Sequence, residues 1–230
     1  MGKEKMNREI KKVYEDTYNC FRDKYKEDNK AWNRFIDFLA VDHFPPLMHQ
    51  LDHKFEDIAN DAKFITKLKS VYKPQVLKQD YHDYLGEMYM ETQGKSQIDR
   101  KGQFLTPESA SGMLAKMTIG NDAKQKPNIL DPCVGTGRLL ISAYKVRPES
   151  NLFGVDIDIN ALRIAYTNFR IHGIRDFYLL HADSLLHETD VSKPEGSYNW
   201  QFANQWYSHM NELKEIDHYE NKKQLELQLN

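Results

Sequence analysis

Apolar positions in the first hundred residues recur at helical spacing. Ile10, Val13, Tyr14 and Tyr18 lie three or four residues apart, as do Trp32, Phe35, Ile36 and Leu39, and each set predicts one buried helix face. Pro45-Pro46 then punctuates the chain. Leu47, Leu51 and Phe55 suggest a further helix, Phe64, Ile65, Leu68 and Val71 another, and Tyr81, Tyr84, Leu85, Met88 and Tyr89 a last one before the polar stretch Thr92 to Lys101. Only Gly2 and Gly86 precede Gly94, so breakers are few and the helices are expected to be long. Residues 1–95 therefore read as a helical N-terminal domain whose aromatics pack its core.

After Gly102 the pattern changes to short apolar runs alternating with helical stretches. Asn128-Ile129-Leu130, Asn151 to Val155 and Phe177 to Leu180 read as strands, and Arg138 to Lys145 and Ala161 to His172 as the helices between them. A β-α-β-α-β order implies a parallel sheet with right-handed crossovers. Residues 96–210 are thus expected to form an α/β core, and 211–230, polar with Leu213, Ile216, Leu225, Leu227 and Leu229, a helical tail.

Composition narrows the classes. At 230 residues with 40% hydrophobic content a sizeable core can be buried, which excludes a disordered chain. Lys plus Arg number 32 against 34 Asp plus Glu, so no global basic excess advertises nucleic acid, and any polyanion contact has to be a local patch. Lys95, Arg100, Lys101 and Arg138 are candidates for phosphate contact, with solvated surface charge as the plainer reading. Two cysteines, Cys20 and Cys133, make a disulfide framework improbable, and neither a signal peptide nor an apolar run of membrane-spanning length is present. The expectation is a cytoplasmic protein without a metal site or membrane contact.

The strongest local signal is Asp131-Pro132-Cys133-Val134-Gly135-Thr136-Gly137-Arg138, where a strand hands over to a helix. Two glycines one residue apart permit a tight turn and close approach of a ligand to backbone. A dinucleotide fingerprint needs a third glycine at position 140, which is Leu140, and a phosphate loop needs Gly-Lys-Ser/Thr where Gly137 is followed by Arg138. An acid opening the loop suits a ligand with a cationic amino group, which points to S-adenosylmethionine. Asp156 ends the next strand, where a carboxylate can accept from ribose hydroxyls, and Asp183 closes the third, where it can accept from an adenine amino group. Asp158, just before Ile159-Asn160-Ala161, reads as a helix cap. Cys133 has no evident base beside it and reads as loop packing.

Four ordered segments, Gly102-Gln103-Phe104-Leu105-Thr106-Pro107, Asp131 to Gly137, Gly154 to Asp158 and Ala182-Asp183-Ser184-Leu185, resemble the N-6 adenine DNA methyltransferases. The likeness is to the modification subunit of type I restriction-modification systems. It spans roughly residues 80–207 and includes the approach Tyr84-Leu85-Gly86-Glu87-Met88-Tyr89. It implies a Rossmann-like S-adenosylmethionine-dependent methyltransferase sheet, with S-adenosylhomocysteine as the product form of the cofactor. Phe104, Thr106 and Pro107 would hold the methionine end beside Asp131, Pro132, Gly135 and Gly137. Asp156 would hold the ribose and Asp183, with neighbouring apolar residues, the adenine, and Ile157 and Ser184 beside them are also expected at the cofactor. For Thr106-Pro107 an N-cap followed by proline at the first helical position is compatible with that role.

The family's catalytic Asn/Asp-Pro-Pro-Tyr/Phe is met by Asn204-Gln205-Trp206-Tyr207, after Ser197 to Ala203, which reads as a fourth strand. The outer residues match and the inner prolines are replaced. An adenine amino nitrogen is a poor nucleophile, so acceptors, Asn204 Oδ1 and the carbonyl of Gln205, would draw its hydrogens aside while Tyr207 stacks on the flipped base. The sheet is expected to be shortened, without room for a target-recognition domain, so either a separate specificity subunit reads the DNA, or the chain is a shortened relative in which a partner or a self-pair covers the exposed sheet edge. Two other readings stay open: a catalytically impaired binding or regulatory module, and a methyltransferase acting on RNA or a protein amide.

Overall fold

The structure, a computed structural model, describes residues 3–42, 56–77, 81–93, 105–119 and 126–185. Helix α1 (Lys3–Tyr25) turns through Lys26, at φ 58°, into α2 (Asp28–Asp42). Their facing apolar stripes meet as the spacing predicts: Ile10, Tyr14, Phe21, Phe35 and Leu39 are all buried. Phe21 is the centre, with the Phe64 ring edge-on at 5.3 Å and Phe35, Phe38 and Tyr25 at 5.6–6.4 Å. Phe64 arrives on α3 (Ala62–Val71), which Asp61 caps by accepting from the Phe64 N–H at 2.9 Å. A short α4 (Pro74–Leu77) buries Leu77 against the same cluster. The helix suggested around Leu47, Leu51 and Phe55 lies outside the described residues, as does the fourth strand from Ser197.

Helices α5 (Tyr84–Gln93) and α6 (Glu108–Thr118) lead to a three-stranded parallel sheet of β1 (Asn128–Asp131), β2 (Asn151–Asp156) and β3 (Phe177–His181), in that order. Between the strands run α7 (Arg138–Val146) and α8 (Ile159–Ile171). The register pairs Asp131 with Gly154 and Asp156 with His181, so all three strands deliver their carboxyl ends to one edge.

Helix α8 joins the two parts. Leu162, Ala165 and Phe169 pack with Leu152, Phe177 and Leu179 of the sheet, while Ile164 and Ile171 belong to the core of α1 and α2. A helix buried nearly all round needs partners on both sides. Arg163 adds a polar tie to α2, donating to Asn33 Oδ1 at 3.1 Å and pairing with Asp37. No described helix is long and apolar enough to cross a membrane.

Candidate cofactor site

Chain reversal after β1 is set by Asp131, whose Oδ1 accepts from the Cys133 N–H at 3.0 Å. The Val134 N–H then reaches Val155 O at 2.9 Å, seating the turn on β2. Gly154 makes this possible, because a Cβ there would stand 2.9 Å from Val134 Cγ2. Gly135 (φ 53°) and Gly137 (φ 89°) take left-handed backbone, which only glycine adopts freely, and α7 starts at the next residue. At Gly137 the turn also runs against α8: an added Cβ would lie 2.6 Å from the Phe169 ring.

Asp156 closes the same turn from β2. Its Oδ2 accepts from the Gly135 N–H at 2.7 Å and its Oδ1 from the Asp158 N–H at 2.8 Å. Asp158 caps α8 through the Asn160 N–H at 2.9 Å, as its position before Ile159 predicts. Asp183, just beyond β3, accepts from the Leu185 N–H at 2.9 Å. Two lone pairs per oxygen leave these acids capacity for a ligand.

Around this edge lies a cleft of about 420 Å³. Its described lining includes Pro132, Gly135, Asp156, Ile157, Asp183 and Ser184, six of the residues expected from the sequence. Asp131 and Gly137 belong to the same turn but are not among the described lining residues. Thr106 and Pro107 follow Leu105, which lines the cleft; the Thr106 carbonyl accepts from Arg138 Nη1 at 3.1 Å. Pro107 falls one residue before the first helical position of α6, and no described side chain caps that helix, which corrects the capped Thr106-Pro107 start. Phe104, Asn204, Gln205 and Tyr207 lie outside the described residues.

The lining also includes Tyr89 and Met90 of α5, together with Cys133 and Thr136. Helical spacing marks Tyr89 as a core aromatic. It is both buried and part of the wall, with its hydroxyl 3.5 Å from Asp158 Oδ2. A helical stripe cannot reveal which of its members ends at a cavity.

Electrostatically the edge is acidic, and no cationic side chain is among the described lining residues. Burial pushes the Asp131 carboxyl up from its usual range, and the nearby Asp156 charge pushes it further, against the Cys133 hydrogen bond. Asp131 Oδ2 is buried without a hydrogen-bond partner among the described residues. A buried acceptor without a partner among the described residues, beside a second carboxylate, is matched by a cationic, hydrogen-donating ligand; the amino group of S-adenosylmethionine has that character, and its sulfonium adds positive charge.

Arg138 corrects the expectation of a phosphate contact or a solvated charge. Its side chain is 11% exposed, and Nε donates to Asp83 Oδ2 at 3.2 Å. Asp83, fully buried just before α5, also accepts from the Gly86 N–H and Asn168 Nδ2, each at 2.7 Å, and from Thr136 Oγ1 at 2.6 Å. Burial drives its carboxyl up while Arg138 and these donors hold it down. The only sequence signal was local: an Asp three residues before Gly86, placed to cap a helix.

A parallel α/β sheet with a glycine turn after its first strand and an acid at each strand end has the fold of S-adenosylmethionine-dependent methyltransferases. A Listeria monocytogenes structure described as a class I enzyme of that kind superposes with a TM-score of 0.51, covering 80% of this chain and 55% of its own at 15% identity. The particular family follows from the sequence: residues 78–226 match the N-6 DNA Methylase family, and the chain belongs to it. Among curated proteins, the methylase subunit of the type I restriction enzyme MpnII from Mycoplasma pneumoniae is 29% identical over 113 residues, 46% of this chain and 20% of that protein. The match thus spans a fifth of the relative's length. The methyltransferase subunit of a type I restriction-modification system from Streptococcus thermophilus aligns at 22% identity over 57% of this chain and 28% of its own, with a TM-score of 0.39.

Proposed function

We propose that the chain binds S-adenosylmethionine in the cleft at the carboxyl edge of the sheet and serves as the methylating part of an adenine-N6 DNA methylase of the restriction-modification type. The observation that carries this is Asp131 Oδ2, buried without a hydrogen-bond partner among the described residues at the start of a glycine turn, in a chain of the N-6 DNA Methylase family. Asp131 with the turn would face the cationic methionine end, with Phe104, Thr106 and Pro107 beside it. Asp156 and Ile157 would hold the ribose, and Asp183 and Ser184 the adenine. The bound cofactor supplies an electrophilic methyl on its sulfonium.

Asn204 Oδ1 and the Gln205 carbonyl would accept the hydrogens of the target amino group, and Tyr207 would stack on its base. Preorganised acceptors are what this reaction needs from the protein. The likeness to a methylase subunit suggests a separate DNA-reading partner. Gln205 and Trp206, where the family has prolines with fixed φ, favour one second reading: a module that keeps the cofactor and has lost turnover.

Calorimetric titration with S-adenosylmethionine and S-adenosylhomocysteine tests the cofactor reading; Asp131→Ala and Asp156→Ala are expected to abolish micromolar binding. Transfer of labelled methyl to duplex DNA, compared with RNA and peptide acceptors, tests the acceptor. Cofactor binding without transfer, unchanged by Asn204→Ala, would put the non-catalytic reading first.

A further inference from the structure

Thr136 is the one residue between two glycines of left-handed backbone, and glycine flanks on their own leave a turn free to move. What holds it comes from elsewhere. Its hydroxyl donates to Asp83 Oδ2 at 2.6 Å and its carbonyl accepts from Asn168 Nδ2 at 3.0 Å, the amide that also reaches Asp83 Oδ1. Arg138, the first residue of α7, closes the ring onto Asp83 and Thr106 O. The other side of Asp83 caps α5 through Gly86, and α5 comes so close that a Cβ at Gly86 would stand 2.5 Å from Thr136 Oγ1. The same helix then carries Tyr89 and Met90 into the cleft wall.

We propose that Asp83 is a positioning residue for the cofactor turn, which makes α5 a thermodynamically linked part of the cofactor site. This rests on the cofactor reading above. A carboxylate that accepts from α5, the turn, α7 and α8 fixes the turn and the Tyr89–Met90 wall relative to each other. Ligand that needs both in register tightens the seating of α5, and seated α5 raises ligand affinity by the same factor, because linkage is reciprocal.

The test is S-adenosylhomocysteine titration, with hydrogen exchange of the α5 amides with and without ligand, on the full chain. In wild type the ligand is expected to slow exchange across α5. Thr136→Val, which removes one donor at similar volume, is expected to weaken binding about tenfold; Thr136→Ser, which keeps the hydroxyl, restores it. Asp83→Asn is expected to lose the ligand-induced protection of α5 even at saturation, a loss that mere destabilisation would not give. Wild-type affinity in both Thr136→Val and Asp83→Asn, or full α5 protection in saturated Asp83→Asn, overturns the proposal. If Asp83→Asn does not fold, Thr136→Val decides on the same two readouts. A folded wild type that binds no S-adenosylhomocysteine overturns the cofactor reading first and this one with it.

Discussion

Alanine at Gly135 and alanine at Gly137 impose the same kind of backbone strain in different surroundings. Each places a Cβ on left-handed backbone, at a cost of about 1–2 kcal/mol. At Gly135 no described residue lies within 4 Å of that Cβ, so among them the strain stands alone, and it is partly offset by about 0.4–1 kcal/mol from a stiffer unfolded chain. At Gly137 the Cβ would meet the Phe169 ring at 2.6 and 2.9 Å and Ala165 Cβ at 3.3 Å. Phe169 is fully buried between α8 and the sheet, so it cannot swing aside, and overpacking adds about 1–3 kcal/mol. Gly137→Ala is therefore expected to cost about 2–4 kcal/mol and Gly135→Ala about 1 kcal/mol. For a chain of this size those figures correspond to falls in Tm of roughly 5–15 °C and 2–4 °C. Urea unfolding followed by tryptophan fluorescence and by far-ultraviolet circular dichroism measures both. Gly135→Ala, which lines the cleft, is expected to lose S-adenosylhomocysteine affinity out of proportion to its small stability loss. Two variants within about 0.5 kcal/mol of each other would refute the close packing of the turn against α8 at Gly137.

Three further outcomes are expected. Asp131→Asn keeps an acceptor for the Cys133 N–H but loses the open anionic oxygen, so S-adenosylhomocysteine affinity should fall about tenfold while the unfolding midpoint at neutral pH holds or rises. Since the native Asp131 carboxyl is raised, its stabilising contribution is present below the ordinary carboxylate range and is lost as pH rises through the native value; ligand binding from mildly acidic solution should release a proton, visible as buffer-dependent calorimetric heats. Phe21→Ala empties the middle of the α1–α2–α3 cluster and should cost about 3–5 kcal/mol in urea unfolding.

Local periodicity carried the elements. Each of the three described strands extends its expected run by one residue, and α7 and α8 fall within two residues of theirs, because apolar runs broken by turn chemistry are read over short windows. The acids at the strand ends were legible for the same reason. The partners of a buried charge were not: Arg138 and Asp83 are 55 residues apart, and nothing near Arg138 distinguishes a paired guanidinium from a solvated one. Asp156 likewise spends one bond on Gly135, a contact 21 residues distant that only the parallel register creates. The helical region read as separate from the α/β core shares α8 with it, since Ile164 and Ile171 look like ordinary members of an amphipathic stripe until a second surface is known to cover them.

That shared helix has a consequence for biosynthesis. Helix α2 is complete at Asp42, but α8, which covers it and takes the Arg163–Asp37 pair, ends at Ile171, roughly 130 residues later. At translation speeds of ~5–20 residues per second the nascent α1–α2 hairpin waits on the order of ten seconds with part of its apolar surface uncovered. Slow synthesis or a pause before α8 prolongs that exposure, and the soluble yield of this protein is expected to depend on how the ribosome and its chaperones manage the interval.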